Sequence, residues 1–389
     1  MSAAATAPRT GSARTILLRG NYAEGNFGDD ALAIAAQRLL APHAVQIATD
    51  VELAYRDRRL DGLRRRGAHE ERFDTIVYGG GTQFFSFKHD PPAALAPLAQ
   101  RVLRKLTRPL SLIDSYRARR RHWIEFRTPR LGIGIGVGPF PVGSPAEAAA
   151  ASLLKGMALV WVRDDASMAF CERHGVETAL RSADLCFSSA FAEATHKLPS
   201  APERTDGRKQ VGVILRDWKA WDDAYFEAAI EAARRLRDQG VEPTFFSLAS
   251  SDTRFLAALS RSGEPVTAWR CEAGAFETFW HALAQMDLVV TARFHGAVFA
   301  VLGETPFLAI GIEPKLELVR DWAPASEAPE VTMPATTDPE LIARRVLAAL
   351  GEIEHRREAA RAMLREQRRL AASGEQRLAA YFDGGRARP

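Results

Sequence analysis

Along most of the chain, short apolar runs rich in β-branched residues alternate with longer stretches whose apolar positions recur every three or four residues. The short runs predict strands at residues 15–19, 45–48, 75–78, 131–135, 159–162, 211–215, 244–248, 288–291 and 307–310. Most are apolar at every position, as a strand covered on both faces requires. The longer stretches predict helices, among them 30–40, 165–174 closed by Gly175, and 223–239 closed by Gly240. A glycine just past the last turn is a common helix stop. Strand and helix in alternation predict parallel sheets with helices on both faces. The clearest break is the polar stretch 196–210, HKLPSAPERTDGRKQ, with its two prolines. It divides the chain into two α/β domains, 1–200 and 201–389. The charged, Arg/Glu/Ala-rich stretch 339–382 predicts one or two helices that cover a domain or cross between the two.

Length agrees with two domains, since 389 residues exceed the usual size of one. With 47% hydrophobic and 26% charged residues, the composition is that of a globular protein with full cores. No apolar stretch approaches the ~20 residues needed to span a bilayer. Residues 1–14 lack the apolar core of a signal peptide and read as a loose tail. Cys171, Cys186 and Cys271 are odd in number and sit in apolar patterns, which fits reduced core residues in a cytoplasmic protein and not a metal site.

The net charge is only +4, but it is unevenly spread. Residues 101–130 hold ten Arg/Lys against Asp114 and Glu125, a local net of +8, with apolar and aromatic residues interleaved. Such a segment is either a solvated charged face or a patch for an anionic acceptor or the inner face of a membrane. No nucleic-acid module accompanies it.

The most informative stretch is Thr291-Ala292-Arg293-Phe294-His295-Gly296, which follows an apolar run and leads into an apolar helical segment. A strand end then delivers an Arg and a His to a helix N-terminus, whose open N–H groups and dipole favour an anion. The plain alternative is a turn with a structural Arg ion pair and a core His. Arg216 and Lys315 follow two other predicted strands of the same domain, so Arg216, Arg293, His295 and Lys315 converge if those strands share a sheet. In the first domain, the loop from Gly20 to Asp30 (GNYAEGNFGDD) joins a strand to a helix, with Asp29 or Asp30 suited to capping that helix. It lacks the Gly-Lys-Ser/Thr of a P-loop. Gly79-Gly80-Gly81, followed by Thr82 and Gln83, lies at another strand end, where open α/β sheets bind ligands. The glycines at 132, 134, 136 and 138 have the look of a dinucleotide fingerprint, but Pro139, Pro141 and Pro145 delay any helix there. Arg163-Asp164 reads as an interdomain ion pair at a strand end.

In their order, these motifs resemble the polysaccharide pyruvyl transferase family. The matching features are Gly25–Ala31 as Gly-Asn-x-Gly-Asp-acidic-Ala, the triple glycine at 79–81, the Gly-x-Gly-x-Gly-Pro turn at 134–139, and Arg163-Asp164 with Ser167. Asp184, Thr291-x-Arg293-x-His295-Gly296 and Lys315 complete the set. Ile135, Leu185 and the pair Ile312-Glu313 depart from the family pattern, which bears on the acceptor more than on the reaction. The resemblance implies two Rossmann-like domains facing across a cleft, as in GT-B glycosyltransferases. It implies phosphoenolpyruvate as donor and a sugar diol as acceptor, with no metal or redox cofactor, and residues 101–130 are then expected to meet a membrane that carries a lipid-linked oligosaccharide, or the pyrophosphate of such an acceptor. On that basis Arg216, Arg293, His295, Gly296 and Lys315 are expected to hold the donor, with His295 as general acid and Arg293 assisting. Asn26, Gly28, Asp29, Asp30, Gly80, Gly81 and Gln83 are expected on the acceptor side, with Asp29 or Asp30 as base. The rival readings are a GT-B glycosyltransferase with a nucleotide-sugar donor and a sugar- or anion-binding protein without catalysis.

Overall fold

The computed structural model of the protein describes residues 13–49, 63–65, 73–86, 127–195, 207–270, 272, 274–322 and 330–384. The N-terminal tail to residue 12, most of the basic segment (101–126) and Cys271 lie outside the described residues. Two parallel sheets organise the chain. The first contains β1 (Thr15–Arg19), β2 (Ala44–Thr49), β3 (Leu63–Arg65), β4 (Thr75–Phe84), β5 (Arg130–Val137), β6 (Leu159–Val162) and β7 (Ala179–Arg181), in the order β3-β2-β1-β4-β5-β6-β7. The second contains β8 (Lys209–Ile214), β9 (Val241–Ser247), β10 (Val266–Ala268), β11 (Leu288–Thr291), β12 (Phe307–Ile310) and β13 (Thr332–Met333), in the order β10-β9-β8-β11-β12-β13. Every strand pairing within them is parallel. The protein therefore has two Rossmann-like domains, each with a doubly wound sheet.

All nine strands expected from the apolar runs are present. The four not anticipated, β3, β7, β10 and β13, have two or three residues each and sit at sheet edges, too short to show a pattern. The strand β4 is longer than expected because it continues through the triple glycine, with Gly79 paired to Ile133 and Gly81 to Ile135. Gly80 and Gly81 have φ of +66° and +72°, which a side-chain-bearing residue rarely adopts.

Two helices meet near their N-termini at the domain seam. Phe27–Leu39 follows the Gly20–Asp30 loop, and Phe294–Leu302 follows Arg293. The second is apolar from Gly296 to Leu302, the mark of a helix enclosed on nearly all sides, while the first buries Ala31–Ala36 and exposes Arg38. Phe27, fully buried, inserts from the first domain among Trp269, Phe276, Phe279 and Phe299 of the second, at centroid distances of 4.5–5.1 Å. Backbone bonds fasten the same seam, from Phe27 N to Leu248 O at 2.8 Å and from Ser250 N to Gly25 O at 2.9 Å.

The last helix, Ile353–Phe382, crosses between the domains. Its first turns pair with the second domain through Arg357 to Asp287 and Arg361 to Glu304. Further on, Leu370 O accepts from Ser182 Oγ at 2.7 Å and Glu375 accepts from Ser189 N at 2.7 Å, both in the first domain. Gly374 lets this helix lie against Trp161, where a Cβ would come within 2.5 Å of the indole. The stretch from residue 201 onward is thus not wholly a second-domain unit, since its final turns cover the first sheet. Cys171 and Cys186 are buried free thiols, and burial pushes Cys171 up to about 11.

Candidate active site

In each sheet the strand order reverses direction between two central neighbours, β1 and β4 in the first and β8 and β11 in the second. Crevices at such points, beyond the carboxyl ends of the strands, are where open α/β sheets take ligands. Here residues from both points line one cleft of about 1040 Å³, counted out to open solvent.

The second-domain wall carries Arg216 after β8, Arg293 and His295 after β11, and Lys315 after β12. The four expected cationic or protonatable side chains do share the cleft. None of the three permanent cations is unpaired, however. Arg293, 8% exposed, lies against Asp252, with Nε donating to Oδ2 at 2.9 Å and Nη2 reaching the same carboxylate. Glu313 Oε1 accepts from Arg216 Nη1 at 2.7 Å and lies 3.0 Å from Lys315 Nζ, so one buried oxygen bridges two cations. Burial lowers both the Arg216 and the Lys315 pKa, against the opposing pull of Glu313. Arg216 also rests 4.7 Å from the ring centroid of Trp218. These cations are held in place before any ligand arrives, an arrangement that keeps them rigid and lowers the net charge of the wall.

The turn that presents Arg293 and His295 is braced from within. Thr291 Oγ1 accepts from Arg293 N at 3.0 Å and donates to Arg293 O at 2.9 Å. Gly296 makes room for this threonine, since a Cβ there would fall 2.1 Å from Thr291 Oγ1. Its amide donates to Arg293 O at 2.9 Å. Gly296, expected at the donor, is therefore committed to the turn and does not line the cleft.

On the first-domain wall, Asn26, Asp29 and Gly81 line the cleft as expected. Asn26, and neither aspartate, caps the helix, its side chain accepting from Gly28 N at 3.1 Å. The helix begins at Phe27, three residues before the expected start, which puts Asp29 and Asp30 both in its first turn. They then part. Asp29 is half-buried at the cleft, and burial raises its pKa from its ordinary value, against the pull of His295, Lys315, Arg163 and Arg293. Asp30 is 1% exposed and faces away, with Oδ1 accepting from Ala23 N and Oδ2 from Trp269 Nε1, both at 2.8 Å. It ties its loop to the second domain and is not placed to meet an acceptor. Gln83 likewise turns from the cleft, donating to Gly80 O at 2.7 Å and Arg19 O at 3.2 Å. Gly80 packs on Leu32, and Gly28 packs under the His295 ring, where a Cβ would fall 2.1 Å from Nδ1.

Arg163 and Asp184 join the site more fully than the motifs suggested. Arg163, 4% exposed, pairs within its own domain with Asp184 at 3.3 Å and Asp164 at 3.5 Å and donates to Thr82 Oγ1 at 2.9 Å. Its contact with the second domain is not an ion pair but the face of Phe294, 4.4 Å from ring centroid to Cζ. Across the seam, His295 Nε2 lies 3.7 Å from Asp184 Oδ2. Sequence reasoning passed over Asp252 altogether and noted Glu313 only as a departure. The signal for Glu313 was its place two residues before Lys315. Asp252 offered none, because its partner is 41 positions away.

A family model described as polysaccharide pyruvyl transferase matches residues 26–314. No curated protein matches the chain. Among solved structures, the chain is similar to S. aureus MnaA in complex with UDP (10% identity, 96% of this chain and 97% of that one, TM-score 0.58). It is also similar to Anabaena Alr3699/HepE with UDP and glucose (12% identity, 95% and 100% covered, TM-score 0.53). A third is the calicheamicin glycosyltransferase CalG4 (16% identity, 97% and 100% covered, TM-score 0.51). At these identities the likeness is one of fold, and it is to the two-domain GT-B arrangement.

Proposed function

The chain belongs to the polysaccharide pyruvyl transferase family, and on that premise we propose that it moves the pyruvyl group of phosphoenolpyruvate onto a sugar diol, forming a cyclic ketal. The observation that carries the reading is the composition of the two cleft walls. One presents Arg216, Arg293, His295 and Lys315, and the other presents Asp29 and Asn26. A small donor with a phosphate and a carboxylate suits the first wall, because guanidinium and ammonium groups bind both. Hydroxyl groups suit the second, where a carboxylate and an amide accept and donate hydrogen bonds.

In the proposed sequence, Lys315, Arg216 and the free edge of Arg293 hold the donor's anionic groups. His295, protonated, gives a proton to C3 of the enol, which becomes a methyl group and leaves C2 electron-poor. One sugar hydroxyl adds to C2 and loses its proton, with Asp29 as the acceptor of that proton. The C2–O bond to phosphate then breaks, and phosphate leaves with the bonding pair. The second hydroxyl adds at C2, loses its proton and closes the ketal. One proton is gained at C3 and two are lost from the hydroxyls, so the departing phosphate carries the balance. The raised pKa of Asp29 supports its part, since a more basic carboxylate takes up the hydroxyl proton more readily. The acceptor is a sugar diol of a cell-surface glycan, free or lipid-linked. In the lipid-linked case, residues 101–130 would supply the contact with an anionic membrane.

The test is to incubate the protein with phosphoenolpyruvate and a panel of saccharides, following inorganic phosphate and the mass of the sugar. Phosphate release that depends on the saccharide, with a ketal on the product, is the expected result. Turnover of a nucleotide sugar with phosphoenolpyruvate left intact would instead make the protein a glycosyltransferase.

A further inference from the structure

His295 comes from the second domain, yet the carboxylate nearest its Nε2 belongs to the first. Asp184 is 2% exposed and sits just after β7, where its Oδ1 accepts from Cys186 N at 3.2 Å. Its Oδ2 lies 3.3 Å from Arg163 Nη1 and 3.7 Å from His295 Nε2. Nε2 is buried and makes no hydrogen bond among the described residues. The ring packs on Gly28, where a side chain would clash with Nδ1, and edge-to-face on Phe294 at 5.8 Å, so with Nε2 turned to Asp184 the proton given to the donor is the one on Nδ1. The other charged groups that act across this corner of the cleft are Asp29, Arg163, Arg293 and Lys315.

We infer that Asp184 is a positioning residue that acts through His295. Its carboxylate faces Nε2 across the domain seam, keeps a proton on that nitrogen, and so fixes the orientation of the imidazole in the cleft. A carboxylate can only accept, so a ring nitrogen turned toward it is favoured in its N–H form. Burial alone would raise the Asp184 carboxyl, but His295 and Arg163 outweigh it and hold the carboxyl below its usual range, which keeps it ionised. At 3.7 Å the contact is longer than a direct hydrogen bond, so the link is charge–dipole attraction. The arrangement also makes the acid dependent on domain assembly, because the group and its anchor reach the cleft from different sheets.

The kinetic part of the inference rests on the pyruvyl transfer reading, whereas the ring-nitrogen part does not. The experiment is ¹⁵N NMR of the histidine-labelled full chain, with the His295 signals assigned by comparison with His295→Gln. In the unmodified protein near neutral pH, Nε2 is expected to carry a proton, and a bare Nε2 with the proton on Nδ1 would overturn the inference. Asp184→Asn keeps the acceptor for Cys186 N but turns an amide NH₂ toward Nε2. It is expected to remove the Nε2–H preference and to lower kcat by about 10²-fold or more, with KM for phosphoenolpyruvate within roughly twofold. Asp184→Glu should recover part of kcat. Unchanged kcat in a folded Asp184→Asn variant, or a rise in KM that accounts for the whole loss, would overturn it. If Asp184→Asn does not fold, the ring-nitrogen state of the unmodified protein still decides. If the unmodified protein transfers no pyruvyl group, the functional reading fails, and the ¹⁵N result alone judges Asp184.

Discussion

Removal of Phe27 should loosen the seam between the domains without dismantling either one. The ring is fully buried, and its four aromatic neighbours, Trp269, Phe276, Phe279 and Phe299, all belong to the second domain. Phe→Ala at a site of this kind costs about 3–5 kcal/mol, from lost burial and the cavity left behind. The upper part of that range is expected, because the cage is built from helices packed on a sheet and has little freedom to collapse. The residual backbone bonds at Leu248 and Gly25 remain. The assay is urea unfolding of Phe27→Ala, followed by circular dichroism and by the share of the tryptophan fluorescence that Trp269→Phe removes, since Trp269 is one of seven tryptophans and lies 5.1 Å from Phe27 at the seam. In the unmodified protein the two signals should coincide, and in the variant fluorescence should change at lower urea. A loss under ~1 kcal/mol with coincident curves would refute the claim that this ring locks the domains.

Three further outcomes follow from the charge arrangement. Asp252→Asn leaves Arg293 buried beside a neutral partner and should cost up to about 3–5 kcal/mol, the usual penalty for breaking a buried pair, as read by urea unfolding; no loss would mean Arg293 is held otherwise. Glu313→Gln removes the carboxylate shared by Arg216 and Lys315 and should tighten phosphoenolpyruvate binding roughly tenfold by calorimetry, whereas weaker binding would show that Glu313 orients those cations more than it masks them. Asp29 has a folded-state pKa above its unfolded one, so the native state holds the proton more tightly. Its contribution to stability is therefore present at low pH and is lost as pH rises from the ordinary carboxylate range through the raised value. Asp29→Asn should match the unmodified protein in acid and exceed it in stability near neutrality, and equal stability at both pH values would contradict the shift.

The parts of the fold legible in the sequence were those whose cause is local. Central strands such as β1, β6 and β11 are buried on both faces and announce themselves as unbroken apolar runs. The edge strands do not, because two or three residues at a sheet margin need no pattern. The cationic wall was legible because each of its members follows a strand of one sheet. The fate of the aspartates at 29 and 30 was not. Adjacent residues in a helical first turn point about 100° apart, and only the packing of Trp269, 239 positions away, decides which one is consumed by the seam. Gly296 was misread for a related reason. A glycine at a helix start suits close approach by a ligand or by a neighbouring side chain, and here the neighbour is Thr291. Asp252 has no motif of its own, since an ion pair across a sheet leaves no spacing to read, whereas Glu313 stands two residues before Lys315 and only its pairing with Arg216, 97 positions away, is hidden.

Whether the second-domain wall holds an anionic three-carbon donor is decided by thermal unfolding with phosphoenolpyruvate or UDP, for the unmodified protein and Lys315→Ala. A ligand at 100 times its Kd that binds only the native state stabilises by about 2.7 kcal/mol, well within reach of the method. Phosphoenolpyruvate should stabilise the unmodified protein, and the effect should fall sharply in Lys315→Ala. Stabilisation by UDP alone, with no response to phosphoenolpyruvate, would contradict it.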